Sequence, residues 1–142
     1  MDSVLIKSTM KIYALAFFLT LITAVLPAQQ KCDSLYVSVP ADTFKRMLEK
    51  KDGILLDVRT PEEWKTGYIK NAVNIDYRSA NFKDKIALLD KTQTYYVYCE
   101  VGGRSAMAAE YMKAMGFCRV IALHRGLRAW KEAGYPTVVP PK

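Results

Sequence analysis

A strand–turn–helix pattern around residue 99 constrains the fold of this chain more than any other feature. The apolar run at residues 95–98 predicts a strand, and the alanine-rich stretch from Ala106 predicts a helix. The heptapeptide Cys-Glu-Val-Gly-Gly-Arg-Ser, residues 99–105, joins them. Such a turn directs the first N–H groups of the helix and the positive end of its dipole at the residue that ends the strand. These groups favour the thiolate of Cys99, which is the form that attacks electrophiles.

The length of the turn indicates which group it holds. Four residues separate Cys99 from Arg104, namely Glu100, Val101, Gly102 and Gly103, and Ser105 follows. Protein tyrosine phosphatases and their relatives place five residues in that interval, which makes a loop wide enough for a tetrahedral phosphate. The shorter loop suits a smaller terminal group, such as one sulfur atom of a persulfide. At this point the chain resembles the rhodanese family of sulfurtransferases, whose active-site loop has six residues and begins with the cysteine.

Two further blocks extend the resemblance, and the three stand in the family's order between residues 55 and 130. The first is Leu-Asp-Val-Arg-Thr-Pro-Glu-Glu-Trp at 56–64, with Gly-Tyr-Ile at 67–69 and Ala-Val-Asn-Ile at 72–75. The second comprises Gly116, Phe117, Val120, Leu-His-Arg-Gly at 123–126 and Trp130. Three blocks in order are a specific match.

The resemblance implies a function and assigns roles to residues. We expect a sulfurtransferase that moves a sulfane sulfur from a donor such as thiosulfate to a thiol or cyanide acceptor through a Cys99 persulfide. The loop residues, listed above from Glu100 to Ser105, are expected to bind the substrate. Arg125 and His124 are expected near the pocket rim. The resemblance further implies structural roles for Asp57, Arg59 and Glu63, and neither a metal nor an organic cofactor.

Other classes of protein remain as alternatives. A rhodanese-like protein-binding module keeps the fold and usually lacks the cysteine. A thiol-redox module in the cell envelope needs a resolving cysteine near Cys99, and only Cys32 and Cys118 are available. A thiol phosphatase or arsenate reductase needs the longer spacing between cysteine and arginine, which is absent.

Short apolar runs alternate with helical patterns from residue 36 onward, which predicts crossover connections and a parallel sheet. The expected strands are 36–39, 54–58, 72–75, 94–98 and 119–122. Thr60, Pro61 and Glu63 form a capping-box pattern that predicts a short helix after the second strand. We therefore expect an α/β rhodanese-like domain, a five-stranded parallel sheet with helices on both faces, and Cys99 at the carboxyl end of a strand, where such sheets bind ligands.

Glu100 departs from the family pattern, because the corresponding position is often basic. A carboxylate beside the pocket is expected to repel a dianion such as thiosulfate. Tyr68 and Arg125 also replace frequent family residues, a histidine and a glycine respectively.

The amino-terminal segment predicts export. Two lysines precede an apolar stretch at residues 12–28 that ends in small residues, as in a secretory signal peptide. We therefore expect a signal peptide at 1–28 and the domain at 29–142 of a periplasmic or otherwise extracytoplasmic protein. Three alternatives stay open, which are an uncleaved membrane anchor, lipidation of Cys32, and translation that starts at Met10.

The charge pattern limits the kinds of binding partner that we expect. The net charge is +7, yet no run of lysine and arginine and no nucleic-acid-binding motif is present, so small sulfur anions and thiols are expected rather than nucleic acid.

Three cysteines cannot all pair with one another, and in an oxidising compartment two of them usually form a disulfide. Cys99 is the candidate for the free thiol, and Cys118 is interpreted as a small buried side chain.

Overall fold

The computed structural model describes residues 32, 35–50 and 52–141. The predicted signal segment, residues 1–28, lies outside them. Strands and helices alternate along the chain as the sequence predicts. They are β1 Leu35–Val39, α1 Ala41–Leu48, β2 Gly53–Asp57, α2 Pro61–Lys65, β3 Val73–Asn74, α3 Phe82–Ala87, β4 Thr94–Tyr98, α4 Gly103–Ala114, β5 Arg119–Leu123 and α5 Gly126–Glu132.

The strands form one parallel sheet in the order β1-β5-β4-β2-β3, which confirms the predicted five-stranded parallel sheet. In the register of the central strands, Asp57 of β2 pairs with Tyr98 of β4, and Val97 of β4 pairs with Ala122 of β5. The carboxyl ends of β2, β4 and β5 therefore meet at one edge of the sheet. Chain segments that leave these three ends build the site described below.

Apolar side chains cover both faces of the sheet, as in other parallel sheets. Successive β4 residues alternate between the faces, with Tyr95 and Val97 in one buried cluster and Tyr96 and Tyr98 in the other. Helices α3 and α4 contribute to the first cluster, and α1 and α5 to the second. This places helices on both faces, as predicted. Among the described residues, no helix combines the length and apolar character that crossing a membrane requires.

A disulfide joins Cys32 to Cys118, with the two Cα atoms 5.1 Å apart. Cys118 directly precedes β5, is only half-buried and forms the disulfide, so its interpretation as a small buried side chain was wrong. The reason is spatial: β1 pairs with β5, and the backbone N–H of Leu35 donates to the Cys118 carbonyl at 2.9 Å, so the amino end of β1, three residues after Cys32, lies beside Cys118.

The disulfide and Cys99 lie at opposite ends of the sheet. Thr94 of β4 pairs with Arg119 of β5, so Cys118 lies beside the start of β4, whereas Cys99 follows its end. At 3.3 Å per residue, the intervening strand separates them by about 20 Å. No second thiol is therefore in reach of Cys99, which removes the resolving cysteine that a thiol-redox module needs.

Candidate active site

Cys99 directly follows β4, and α4 begins four residues later at Gly103. The residue is fully buried and its thiol is free. Its position between a central strand and a twelve-residue helix is the one that the sequence predicts. The carboxyl end of a buried strand and the amino end of a helix therefore meet at this sulfur.

Two hydrogen-bond donors and a nearby positive charge surround the Cys99 sulfur. The backbone N–H of Gly102 lies 3.1 Å from Sγ, and the hydroxyl oxygen of Ser105 lies 3.6 Å from it. The Arg104 guanidinium adds a positive charge near this sulfur, and its pKa is raised mainly by Glu63 and to a smaller extent by Cys99. Gly102 has a φ of +99°, a conformation that glycine adopts readily and that a side chain would strain. Negative charge on Sγ would thus find donors already in place.

The start of α5 holds the loop from behind. The N–H of Leu127 donates to the Cys99 carbonyl at 2.7 Å, and the N–H of Arg128 donates to the Glu100 carbonyl at 3.1 Å. Gly126, with a φ of +61°, makes this approach possible, because a Cβ there would collide with the Cys99 carbonyl oxygen and lie 2.7 Å from the Glu100 carbonyl. Hydrogen bonds from α5 therefore hold the backbone of the first two loop residues in place.

Arg104 is bound by Glu63 of α2. Its two terminal nitrogens donate to the two carboxylate oxygens at 2.7 and 2.6 Å. Glu63 also closes the predicted capping box, since its carboxylate accepts from the N–H of Thr60 at 3.0 Å. The hydrogen bond from Arg104 is the main cause that lowers the pKa of Glu63 to about 2, assisted by Thr60. This pair ties α4 and the cysteine loop to α2.

Arg59 forms a second support beneath the loop. The side chain is 1% exposed and binds the Asp57 carboxylate through Nε at 3.0 Å and Nη2 at 2.8 Å, and the Gly67 carbonyl at 2.7 Å. Burial alone would lower the pKa of Arg59, but the hydrogen bond and charge of Asp57, with a smaller effect of Glu100, raise it. The predicted structural pair thus lies directly below the site.

Glu100 is not an unpaired charge at the pocket. Its carboxylate accepts from Nη1 of Arg59 at 3.1 Å, while about a third of its side chain, 36%, stays exposed. The repulsion of anions expected from the sequence is therefore partly compensated. Because Arg59 also neutralises Asp57, the three side chains together still carry one excess negative charge.

A cavity of about 230 Å³ lies beside the loop. Val101 and Gly102 form one wall, and the ends of β1 and β5 with His124 and Arg125 form the other. Both rim residues are exposed, and Arg125 pairs with Glu132 at 3.0 Å. The structure therefore brings the two sequence-predicted rim residues next to the loop, although the cavity is not lined by Cys99.

Sequence reasoning missed three contacts of this site. The capping box and the family resemblance predict a structural role for Glu63 but not its bond to Arg104, which spans 41 residues of sequence. The Arg59–Glu100 pair spans the same distance. Gly126 belongs to the second family block, and a glycine at the start of a short helix gives no sequence signal that its backbone approaches the Cys99 carbonyl. The described residues contain no cluster of three or more histidine, cysteine or carboxylate side chains suited to a metal ion.

A parallel α/β domain with a cysteine loop at the end of its central strand defines the class of this protein, and comparisons give the family. A sequence model of the rhodanese-like domain matches residues 40–133. A sulfurtransferase of Allochromatium vinosum is 31% identical over 96 residues, which cover 68% of this chain and 88% of that protein. The thiosulfate sulfurtransferase GlpE of Vibrio cholerae is 29% identical over 101 residues, covering 71% and 93%.

Solved structures agree with the sequence relatives. The crystal structure of a rhodanese-related protein from Thermoplasma volcanium is similar with a TM-score of 0.63 and 31% identity, covering 75% of this chain and 98% of that one. Several other curated relatives are longer proteins, of which the chain spans 22 to 56%. The chain belongs to the rhodanese-like domain family, and its sulfurtransferase relatives support a transferase.

Proposed function

We propose that this protein transfers sulfane sulfur from a donor such as thiosulfate to a thiol or cyanide acceptor, with Cys99 carrying the sulfur as a persulfide. The observation that carries the proposal is the free Cys99 sulfur, which receives the Gly102 N–H at 3.1 Å at the amino end of α4. A nucleophilic thiolate needs such donors, and here backbone and side-chain groups supply them without a histidine base.

Loading of Cys99 is the first half-reaction. The Cys99 thiolate attacks the terminal sulfur of thiosulfate, a bond forms between Sγ and that sulfur, and the sulfur–sulfur bond of thiosulfate breaks. The electron pair of the broken bond leaves with sulfite, and the outer sulfur of the persulfide keeps one negative charge. Because Cys99 is fully buried at the start of the six-residue loop, a donor that presents a single terminal sulfur fits better than a bulky group.

Transfer to the acceptor is the second half-reaction. The persulfide anion first takes a proton from solvent, and an acceptor thiolate then attacks its outer sulfur and forms a new sulfur–sulfur bond. The bond between the outer sulfur and Sγ breaks, and its electron pair returns to Cys99 as the thiolate. The proton of the outer sulfur stays with the acceptor persulfide, so no oxidant or reductant is consumed.

We also propose that the protein acts outside the cytoplasm. An amino-terminal segment typical of a signal peptide and a Cys32–Cys118 disulfide both support an exported protein in an oxidising compartment such as the periplasm. Its acceptor there is a small thiol or the thiol of another protein. In this proposal Cys32 serves in the disulfide and not as a lipidation site.

The proposal is tested by thiocyanate formation from thiosulfate and cyanide. Cys99→Ser is expected to abolish turnover without unfolding the domain, because an alcohol is much less acidic than a thiol and cannot carry the sulfur. The matched control is the double variant Cys32→Ser with Cys118→Ser, which removes the other two sulfurs about 20 Å away and is expected to keep the activity. Turnover by Cys99→Ser would contradict the proposal.

A further inference from the structure

Ser105 places a buried hydroxyl between two acceptors. The residue lies in the first turn of α4 and is fully buried. Its Oγ is 3.0 Å from the Gly102 carbonyl oxygen and 3.6 Å from Sγ of Cys99. A hydroxyl carries a single proton, so it donates to only one of these two groups at a time.

The two acceptors differ in how much they need this proton. The Gly102 carbonyl also accepts the N–H of Ala106 at 3.0 Å, which is the ordinary helical bond of that turn. It therefore stays satisfied when the hydroxyl turns away. The Cys99 sulfur needs a donor only while it carries negative charge, because a neutral thiol or a bonded persulfide sulfur is a weak acceptor. The hydroxyl can follow the charge on Sγ at low cost.

We propose that Ser105 is a catalytic residue for the second half-reaction, in which its hydroxyl turns from the Gly102 carbonyl to Sγ and stabilises Cys99 as the leaving thiolate. This inference rests on the proposed function. In that step the acceptor thiolate forms a bond to the outer sulfur, the Sγ–sulfur bond breaks, and the electron pair moves to Sγ. Better stabilisation of the departing thiolate speeds its departure.

The same hydrogen bond has little effect on loading. There Sγ carries its negative charge in the starting state and loses it as the new bond forms, so a donor stabilises the starting state at least as well as the transition state. Only interactions that are stronger in the transition state accelerate a step. The Gly102 N–H and Arg104 remain in place for both steps, so the contribution of Ser105 appears as a difference between the two half-reactions.

The test measures both half-reactions in single turnovers by intact mass. Loading is started with thiosulfate, and transfer from isolated persulfide protein is started with cysteine as the acceptor. Ser105→Ala is expected to slow transfer about tenfold and to change the loading rate less than twofold. Ser105→Thr keeps the hydroxyl and is expected to retain faster transfer than Ser105→Ala. Ser79→Ala, which removes a hydroxyl bonded to Asn81 away from the loop, is the matched control.

The outcomes separate this inference from the function on which it rests. Both rates come from one sample, so a general folding defect in Ser105→Ala lowers both, whereas the proposed role changes their ratio. An unchanged ratio, with normal loading by the wild-type protein, would overturn the role of Ser105 alone. A wild-type protein that gains no sulfur from any sulfane donor would overturn the proposed function and this inference together.

Discussion

Arg104 and Glu63 form an ion pair with two hydrogen bonds of 2.7 and 2.6 Å. The arginine ends the cysteine loop and lies in the first turn of α4, whereas the glutamate lies in α2. The charge of Arg104 also interacts with Cys99. The pair therefore fixes a guanidinium whose charge acts on the reactive sulfur, and it couples the position of that guanidinium to the fold.

Replacing Glu63 with Gln is expected to destabilise the domain at neutral pH. Gln keeps the capping box, since its amide oxygen also accepts from the Thr60 N–H, but it loses the charge that binds Arg104. We expect a loss of about 2 kcal/mol in the free energy of unfolding, measured with urea at pH 7. Glu62→Gln, an exposed neighbour in the same helical turn, is the control and is expected to cost about 0.5 kcal/mol.

The dependence of this effect on pH follows from the direction of the shift. Arg104 lowers the pKa of Glu63 in the folded state from its ordinary value of 4.5 to about 2, so the contribution of this charge is complete above pH 4.5. It is lost as the pH falls from 4.5 through 2. The stability difference between wild type and Glu63→Gln should therefore shrink over that interval. A difference that stays constant down to pH 2 would show that the charge of Glu63 contributes nothing.

Removing the charge of Glu100 is expected to improve the use of thiosulfate. Glu100→Gln can still accept a hydrogen bond from Arg59, but it removes the excess negative charge that Asp57, Arg59 and Glu100 carry together. We expect the KM for thiosulfate to fall about threefold at low salt, with kcat less affected and the gain shrinking as salt rises. Glu49→Gln, after the far end of α1, is the control. A higher KM in Glu100→Gln would indicate that this carboxylate serves an acceptor instead.

Gly126 and Gly134 allow a matched test of the support behind the loop. Both have positive φ, +61° and +77°, so alanine strains the backbone similarly at each. A Cβ at Gly126 collides with the Cys99 carbonyl, whereas a Cβ at Gly134 meets nothing within 4 Å. We expect Gly126→Ala to lower kcat/KM at least tenfold and Gly134→Ala to lose about 1 kcal/mol of stability with normal kinetics. Equal kinetics in both variants would refute the role of the contact between α5 and the loop.

The disulfide is expected to stabilise the domain without taking part in the reaction. Cys32 and Cys118 are 86 residues apart in sequence, and a bridge that closes such a loop contributes about 4 kcal/mol. The double variant Cys32→Ser with Cys118→Ser should therefore unfold at lower urea concentration and still load Cys99. Loss of loading in a folded double variant would assign a redox role to the bridge.

The sequence predicted the fold well because its signals are local. The alternation of apolar runs and helical stripes, the capping box at Thr60 and the glycine turn after Cys99 each act within a few residues, and each was confirmed as structure. The five strands follow within one or two residues of the predicted bounds. Helices on both faces of the sheet could be predicted because the side chains of β4 are apolar on both faces.

The supports of the site could not be predicted in the same way, because they depend on pairings between distant segments. Arg59 and Glu100 were both singled out, one as structural and one as repulsive, but only the parallel pairing of β2 with β4 brings them together. The same applies to Cys118, which meets Cys32 only through the pairing of β1 with β5. A family resemblance names such residues without giving their partners.

The central claim, that Cys99 carries sulfur, is tested most directly by the intact mass of the native protein after incubation with thiosulfate. We predict a gain of one sulfur atom, about 32 Da, located on Cys99, reversed by cyanide or a thiol and absent in Cys99→Ser. An unchanged mass with thiosulfate and with other sulfane donors, or a sulfur found on Cys99→Ser, would contradict the account.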